Sequence, residues 1–184
     1  MYAGHLDLNV PLLWTVDGCL PSAECDRYIE KIRSGDAEIA PIVGKHGVEI
    51  DLATRNNTRV MWDDEAEANA LLDRVRASVP TRLLERSLRG ANPRLRLYRY
   101  GLSEKHGAHW DTVVEFEDGA QSLLTLVFYL NDDFQGGSTN FPELGQNIIP
   151  RRGSALLFQH RVLHEASRVE RGEKFVLRTD VVYK

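Results

Sequence analysis

Two stretches in the first half of the chain space their apolar residues as amphipathic helices do. The first, 22–35, begins with Ser22, ends at Gly35 and carries apolar residues at intervals of three and four: Cys25, Tyr28, Ile29 and Ile32. The second, 63–80, begins with acidic residues, ends at Pro80 and has one apolar face: Leu71, Leu72, Val75 and Val79. These patterns predict two helices, and we expect a short third helix at 81–88.

From residue 94 the pattern changes to short apolar or alternating runs that are separated by turn residues. The alternating run is "RLRLYRY", and the apolar runs are "SLLTLVFYL", "NIIP", "GSALLFQH" and "KFVLRTDVVY". Turn clusters such as "NDDFQGG" and "RRG" lie between them. The second half therefore predicts a β-sandwich or small barrel. We predict an α+β fold in one domain, 1–184, with helix-rich support over about 1–90 and a β core over about 91–184.

Composition narrows the class of protein without naming a chemistry. The 184 residues are 42% hydrophobic and 27% charged, which fits one globular domain with a core. The net charge of −4 argues against a nucleic-acid or membrane surface, and no apolar run spans a bilayer. The start lacks the features of a signal peptide, and the two cysteines fit reduced thiols. We expect a cytoplasmic protein with no nucleic-acid or membrane partner, and its oligomeric state stays open.

The stretch "HGAHWDTVVEF" at 106–116 contains the first candidate chemistry. In an extended strand, His109 and Asp111 leave the same face. His160 and His164 are the candidates for a third ligand, and we choose His164. Two imidazoles and one carboxylate suit non-haem Fe(II), although zinc hydrolases also use such a set.

Further stretches make the pattern more specific, because they resemble the Fe(II)- and 2-oxoglutarate-dependent oxygenases, in particular the prolyl 4-hydroxylase-like branch. The resemblance runs in order through about half of the chain: "YRYGLSEKHGAHWD", "SLLTLVFYLNDDFQGGSTNF", "IIPRRGSALLFQH" and "HEASRVERGEKFVLRTDVVY". "VDGCLPSAECDRYIEKI" also resembles the helical lead-in of that family. The resemblance implies a double-stranded β-helix (a jelly-roll, or cupin-like barrel) with supporting N-terminal helices.

The resemblance implies that His109, Asp111 and His164 bind Fe(II). It also implies 2-oxoglutarate as cosubstrate, O2 as oxidant and ascorbate in a supporting role. Fe(II) with one aspartate retains one positive charge, and 2-oxoglutarate brings two negative ones. The distal C5 carboxylate therefore needs a buried cation or several donors.

Lys174 lies ten residues after His164, where the family has a basic residue, and we assign it to the C5 carboxylate. Arg178 is expected to reach the C1 carboxylate or the substrate, and the roles of these two cations are open to exchange. Tyr100 precedes His109 by nine residues, as in the family, where the phenol donates to the C5 carboxylate. Thr125 is a further 2-oxoglutarate candidate, with a hydrogen bond to the backbone as the alternative.

Candidates for the substrate lie in two loops. "TRNNTRVMWDD" supplies Arg55, Asn57 and Arg59, and Arg161 lies close to His164. These residues suit a polar or carboxylate-bearing substrate. The resemblance suggests a prolyl residue in a peptide or protein, and a small amino-acid-like metabolite is the alternative.

Other residues near these candidates are given structural roles. We interpret Gly136 and Gly137 of "GGSTNF" as a tight turn. His160 is expected to be a packed or hydrogen-bonded neighbour of the ligands. His106 takes a position where the family usually has an aromatic residue.

Three functions follow from the sequence. The first is an Fe(II)/2-oxoglutarate hydroxylase. The second is a metal-binding jelly-roll hydrolase or isomerase that uses zinc or manganese, which would not need Lys174 and Tyr100 at these spacings. The third is a binding module without catalysis, against which the complete His-Asp-His set counts.

Overall fold

The computed structural model of the chain describes residues 6–44 and 47–184, so residues 1–5 and 45–46 lie outside it. Most of its regular structure is β. The strands, in chain order, are β1 (Leu13–Val16), β2 (Glu38–Ile39), β3 (Ile42–Gly44), β4 (Gly47–Glu49), β5 (Thr58–Asp63), β6 (Arg82–Leu83), β7 (Arg86–Ala91), β8 (Arg94–Tyr100), β9 (His106–His109), β10 (Gln121–Tyr129), β11 (Gln135–Gly136), β12 (Thr139–Phe141), β13 (Gln146–Ile148), β14 (Ala155–Gln159), β15 (His164–Ala166), β16 (Val169–Arg171) and β17 (Lys174–Tyr183).

Two α-helices form where the apolar spacing predicts them. They are α1 (Ser22–Ser34) and α2 (Glu65–Val75), and a 3₁₀ turn at Arg76–Ser78 follows α2. The Asp64 side chain accepts a hydrogen bond from the Glu67 backbone N–H at 2.9 Å, which caps α2. A second 3₁₀ turn spans Pro142–Leu144. Within the described residues, neither helix is long and apolar enough to cross a membrane.

The predicted third helix at 81–88 is wrong. Strands β6 and β7 pair there as an antiparallel hairpin. Leu84 and Glu85 join the two strands with φ angles of 47° and 61°, a left-handed conformation that cannot continue a helix. With β1 to β7 among its elements, the first half is not mainly helical, and the structure as a whole is mostly β.

The larger sheet is antiparallel and has the strand order β1-β14-β10-β17-β8-β5-β2, with β7 also paired to β17. A smaller sheet has the order β13-β12-β15-β9. The central strand β17 pairs with β10 on one side and with β8 and β7 on the other. It therefore lies in the middle of the larger sheet, with neighbours on both sides.

The two faces of the larger sheet serve different purposes. Leu95 and Leu97 of β8 pack in one apolar cluster with residues of both helices. Tyr98 and Tyr100, which alternate with those leucines, belong to a second cluster. Phe141 of the smaller sheet packs in this second cluster too. One face of the larger sheet thus supports the helices, and the other faces the smaller sheet. The candidate site lies on this second face.

Candidate metal and cosubstrate site

The three predicted metal ligands meet at one point. Strands β9 and β15 pair antiparallel with His109 opposite His164, so both imidazoles arise from neighbouring positions of one sheet. Asp111 follows β9, where its backbone N–H donates to the His160 carbonyl at 3.0 Å. Each histidine places Nε2 3.7 Å from a carboxylate oxygen of Asp111. The candidate ligand atoms of the three residues all lie within 4.8 Å of one another.

Backbone carbonyls fix the orientation of both imidazoles. Nδ1 of His109 lies 2.8 Å from the Gly107 carbonyl, and Nδ1 of His164 lies 3.0 Å from the Val162 carbonyl. A proton on Nδ1 would donate to the carbonyl, which leaves the Nε2 lone pair directed at Asp111. Burial lowers the pKa of His164, and it lowers that of His109 to about 3. Both rings are therefore neutral ligands at physiological pH.

Asp111 is buried and held from two sides. The Thr125 hydroxyl donates a short hydrogen bond to Oδ2, and Arg178 Nη1 lies 2.8 Å from Oδ1. Burial acts to raise the pKa of Asp111, but Arg178 and the nearby histidines hold it well below its usual value. The carboxylate is therefore ionised, and this set of two neutral nitrogens and one anionic oxygen fits a divalent cation such as Fe(II) or Zn(II).

Thr125 therefore has a contact that the sequence did not suggest. We predicted a contact with 2-oxoglutarate, with a backbone hydrogen bond as the alternative. Thr125 does line the cavity next to the metal ligands, but its hydroxyl bonds to the Asp111 side chain. This bond restricts the rotation of a metal ligand, and the 2-oxoglutarate contact stays a prediction.

An inner cavity extends from these ligands into the space between the sheets. Its walls beyond the ligands come from β8, β10, β12, β14 and β17: Tyr100, Tyr129, Thr139, Phe158, Lys174 and Val176. Lys174 is only 2% exposed, and its ammonium donates to the Gly137 carbonyl at 2.6 Å. It lies 5.3 Å from the centre of the Tyr100 ring and 5.6 Å from that of Tyr129. Among the described residues no carboxylate pairs with it, and burial lowers its pKa to about 7.

A buried ammonium group without an anion is costly, so this cavity fits a ligand with a carboxylate at its inner end. Gly137 is part of that arrangement. Its φ angle is +62°, and an added Cβ would lie 2.9 Å from the Phe134 ring and 3.2 Å from Lys174 Cδ. The turn interpretation of Gly136 and Gly137 fits their positive φ angles of 73° and 62°. Gly137 has a further role, because it presents its carbonyl to Lys174.

Sequence reasoning did not select Tyr129 and Thr139, which also line the inner cavity. Their hydroxyl groups lie 2.8 Å apart and form a hydrogen bond. Tyr129 leaves β10 on the same face as Thr125, four residues earlier. The period of two along "SLLTLVFYL" is a signal for Tyr129, because it places this residue on the face of Thr125. Thr139 is the threonine of "GGSTNF", a motif that we interpreted only as a turn.

At the opposite end from Lys174, an outer groove opens beside the metal ligands, and four arginines line it: Arg55, Arg59, Arg96 and Arg178. Arg178 contacts Asp180 at 3.1 Å in addition to Asp111, and Arg96 contacts Asp180 at 3.0 Å. Burial acts to raise the pKa of Asp180, but Arg178 and Arg96 lower it to about 2. Arg178 is therefore already paired with carboxylates, unlike Lys174.

The other predicted substrate residues differ in position. Arg55 lines both the inner cavity and the outer groove, and Asn57 is fully buried behind it, where its amide oxygen accepts from Arg55 Nε at 2.8 Å. Arg59 lines the groove and pairs with Glu38 at 2.7 Å. Arg161 is not among the described residues that line either space.

The two remaining histidines are neighbours of the site. The His106 ring stacks on that of His109 with 3.5 Å between centroids. His160 is 2% exposed, and within the described part of the chain neither ring nitrogen has a hydrogen-bond partner. It is packed and lies outside the ligand set, although its carbonyl positions Asp111.

Comparison with known proteins gives this geometry a context. Residues 95–179 match the model of the family described as the 2OG-Fe(II) oxygenase superfamily. A protein of Acanthamoeba polyphaga mimivirus, provisionally described as a prolyl 4-hydroxylase, is 31% identical over 100 residues. The match spans 45% of this chain and 41% of the viral protein, so it covers less than half of that relative.

Solved structures show the fold over nearly the whole chain. A viral collagen prolyl hydroxylase from Paramecium Bursaria Chlorella virus-1, solved with 2-oxoglutarate, superposes with a TM-score of 0.63 at 20% identity, covering 95% of this chain and 97% of that one. A Trichoplax adhaerens prolyl hydroxylase, solved with a hypoxia-inducible-factor peptide, gives 0.71 at 17% identity, covering 95% and 84%. At these identities the likeness concerns the fold alone.

Proposed function

Because residues 95–179 match the model of the 2OG-Fe(II) oxygenase superfamily, we propose that this protein is an Fe(II)- and 2-oxoglutarate-dependent dioxygenase that hydroxylates a C–H bond of its substrate. The match bears out the resemblance at the level of the superfamily, and the mimivirus relative supports the prolyl 4-hydroxylase-like branch that the motifs indicated. We further propose that the two sheets are the double-stranded β-helix of that family. The shared apolar cluster supports treating both helices and the sheets as one domain.

The observation that carries the proposal is the pairing of two features in one cavity. His109, Asp111 and His164 present three ligand atoms at one end. Lys174 presents a buried cation without a carboxylate partner among the described residues. A zinc or manganese hydrolase would need the first feature alone. A dicarboxylate that also binds the metal accounts for both.

In this proposal, His109, Asp111 and His164 hold the iron, and Lys174 with the Tyr129 and Thr139 hydroxyl groups holds the far carboxylate of 2-oxoglutarate. When bound, the metal and cosubstrate supply the oxidising chemistry: 2-oxoglutarate and O2 become succinate and CO2, and one oxygen atom enters the substrate.

The chain itself orients the ligands and excludes water. The Gly107 and Val162 carbonyls keep both imidazoles in one tautomer. The Thr125 hydroxyl and the Arg178 guanidinium hold Asp111. The buried Phe158 and Val176 close the cavity walls and keep water from the reacting groups.

The substrate we propose is a prolyl residue of a peptide or protein, or a small amino-acid-like molecule, because the relatives are prolyl hydroxylases. Ascorbate is proposed in a supporting role. A cytoplasmic location is also proposed, for which the buried free thiols of Cys19 and Cys25 are the supporting observation.

The test is succinate release from 2-oxoglutarate by protein loaded with Fe(II) under nitrogen and then exposed to air. We expect slow release without substrate, and none when O2 or iron is withheld. His109→Ala should abolish both the release and high-affinity metal binding, since it removes one of three ligands.

His106→Phe is the matched control. It keeps an aromatic ring beside His109 and removes the imidazole nitrogens, so metal affinity should stay within a few-fold. A wild-type protein that binds metal but never consumes 2-oxoglutarate would contradict the proposal, and hydrolysis that depends on metal alone would favour the hydrolase.

A further inference from the structure

Arg55 is a second buried cation without an anion, at the boundary between the inner cavity and the outer groove. It is only 6% exposed and lines both spaces. Its Nε donates to the Asn57 amide oxygen and its Nη1 to the Pro41 carbonyl at 3.1 Å. Its guanidinium carbon lies 4.9 Å from the centre of the Tyr98 ring. These partners are neutral, and no carboxylate of the described residues pairs with Arg55.

A short chain of contacts places Arg55 next to the metal ligands. Arg55 and His106 form an isolated antiparallel bridge. The His106 ring then stacks on His109, whose Nε2 faces Asp111. Because Arg55 lines both spaces, a molecule that extends from the outer groove to the metal end can contact its guanidinium.

The charges around this end of the groove do not balance. This end holds three guanidinium groups, those of Arg55, Arg96 and Arg178, and two carboxylates, those of Asp111 and Asp180, which pair with Arg96 and Arg178 and leave Arg55 without an anion within the described part of the chain. A bound divalent metal and a bound 2-oxoglutarate would cancel each other in charge and leave this excess unchanged. Because an unpaired buried charge is costly, the excess favours an anion in the groove.

The Tyr98 ring, which the Arg55 guanidinium contacts, is consistent with that excess. Burial acts to raise the pKa of Tyr98, but Arg55, Arg178 and Arg96 lower it below its ordinary value. The stabilisation of a phenolate by these three guanidinium groups therefore exceeds the cost of burying it.

Part of the groove lining is apolar. Ile42 and Val43 of β3 and Val48 of β4 line it, together with Trp110. Val43 and Val48 are largely exposed to solvent. An occupant that satisfies this lining combines an anionic group with an apolar body.

We propose that the substrate carries a carboxylate which binds Arg55 at the boundary of the two spaces, and that Arg55 is the residue that selects for it. This inference rests on the proposed function and specifies its substrate. The carboxylate belongs either to a free amino acid or to an acidic side chain beside the reacting residue of a peptide. Asn57 is a positioning residue, because it is fully buried and holds Arg55 by Nε.

The test uses probes matched in shape and different in charge. Protein loaded with Mn(II) and 2-oxoglutarate under nitrogen is titrated calorimetrically with L-proline and L-leucine and with their α-amides. A second arm uses a blocked prolyl peptide with Glu beside the proline and its Gln counterpart. In at least one arm we expect the carboxylate to bind about tenfold more tightly than its amide, as a charged hydrogen bond typically contributes.

Variants assign the effect to Arg55. Arg55→Gln should abolish the preference for the carboxylate, and Arg55→Lys should keep part of it. Arg59→Gln is the matched control, because Arg59 lines the same groove but already pairs with Glu38, so the preference should persist. If Arg55→Gln fails to fold, the wild-type pairs and Arg55→Lys still decide the question.

Distinct outcomes separate this inference from the proposed function. If iron-loaded protein releases succinate but no carboxylate binds more tightly than its amide, the inference fails and the oxygenase stands. If Arg55→Gln weakens 2-oxoglutarate binding instead, Arg55 belongs to the cosubstrate and the inference is wrong. Absence of any 2-oxoglutarate binding or turnover contradicts the proposed function itself.

Discussion

Lys174 and Arg178 lie on the same face of β17, four residues apart, and line one cavity, yet their surroundings are opposite in character. Lys174 faces a carbonyl and two tyrosine rings, and burial lowers its pKa to about 7. Arg178 contacts Asp111 and Asp180. Burial acts to lower its pKa, but these carboxylates raise it well above its ordinary value. One cation lacks an anion, and the other already has two.

This difference suggests two roles: Lys174 is suited to bind a ligand, and Arg178 is suited to support the candidate metal ligands. The Arg178 guanidinium already contacts Asp111 and Asp180, so we expect it to hold them in place. Lys174 gains a partner only when an anion enters the inner cavity. The fold thus carries an unfavourable charge at one end, which is typical of a binding site, and a compensated network at the other.

The largest expected effect comes from Lys174→Met, which keeps most of the side-chain volume and removes the charge. The affinity for 2-oxoglutarate should fall about 100-fold or more, since a buried carboxylate loses its cation. The free energy of unfolding of the ligand-free protein should stay equal or rise, because an unpaired buried charge is gone. Calorimetric titration and urea unfolding measure the two quantities.

Arg178→Met is the matched control for that experiment. It leaves Asp111 without its arginine and Asp180 with one of its two arginines, so we expect the free energy of unfolding to fall by about 3–5 kcal/mol. Equal losses of iron and 2-oxoglutarate affinity in Lys174→Met would show that Lys174 has been misassigned. If Lys174→Met lowers the free energy of unfolding as Arg178→Met does, the two cations do not differ in the way described.

The sequence anticipated the parts of this site that depend on local periodicity. The i, i+2 spacing of His109 and Asp111 predicts one shared face, and the alternation in "RLRLYRY" places Leu95 and Leu97 on the face opposite Tyr98 and Tyr100, in agreement with the two apolar clusters. The spacing of ten between His164 and Lys174 came from the family resemblance. Periodicity alone did not supply it.

Features that depend on long-range pairing were not accessible in this way. Thr125 of β10 donates to Asp111, which lies 14 residues earlier, and nothing near Thr125 in the sequence indicates that contact. The strands β6 and β7 were mistaken for a helix because Leu84 and Glu85 adopt positive φ without a glycine signal. Arg161 was chosen for its closeness to His164 in sequence, and it does not line the described cavity or groove.

The lowered pKa of Lys174 predicts that the stability of the ligand-free protein depends on pH. In the unfolded chain this lysine has an ordinary pKa of about 10.4. Between pH 7 and 10 the unfolded chain therefore binds more protons at this position than the folded one. The free energy of unfolding of the ligand-free protein should rise with pH across this window, by up to about 1.4 kcal/mol per unit from this group.

Binding of 2-oxoglutarate should show the opposite trend, because the bound carboxylate needs the ammonium form. Its affinity should fall above pH 7, approaching tenfold per pH unit. Tyr100 and Tyr129 face the same group, but burial raises the pKa of Tyr100 to about 12 and raises that of Tyr129 as well, so both stay neutral here. Lys174→Met should lose both trends. A wild-type affinity that is flat from pH 7 to 9 would contradict the role of this lysine.

The smallest expected effect tests the metal end through Thr125→Val, a change that keeps the shape of the side chain and removes the hydroxyl. Because that hydroxyl donates to Asp111 Oδ2, the affinity for Co(II) or Fe(II) should fall about tenfold, as is common when a partner of a metal ligand is lost. The affinity for 2-oxoglutarate, measured at saturating metal, should change by less than about threefold, since Lys174 and its neighbours are intact. A loss of 2-oxoglutarate affinity with metal binding unchanged would contradict this prediction and would show that Thr125 contacts the cosubstrate.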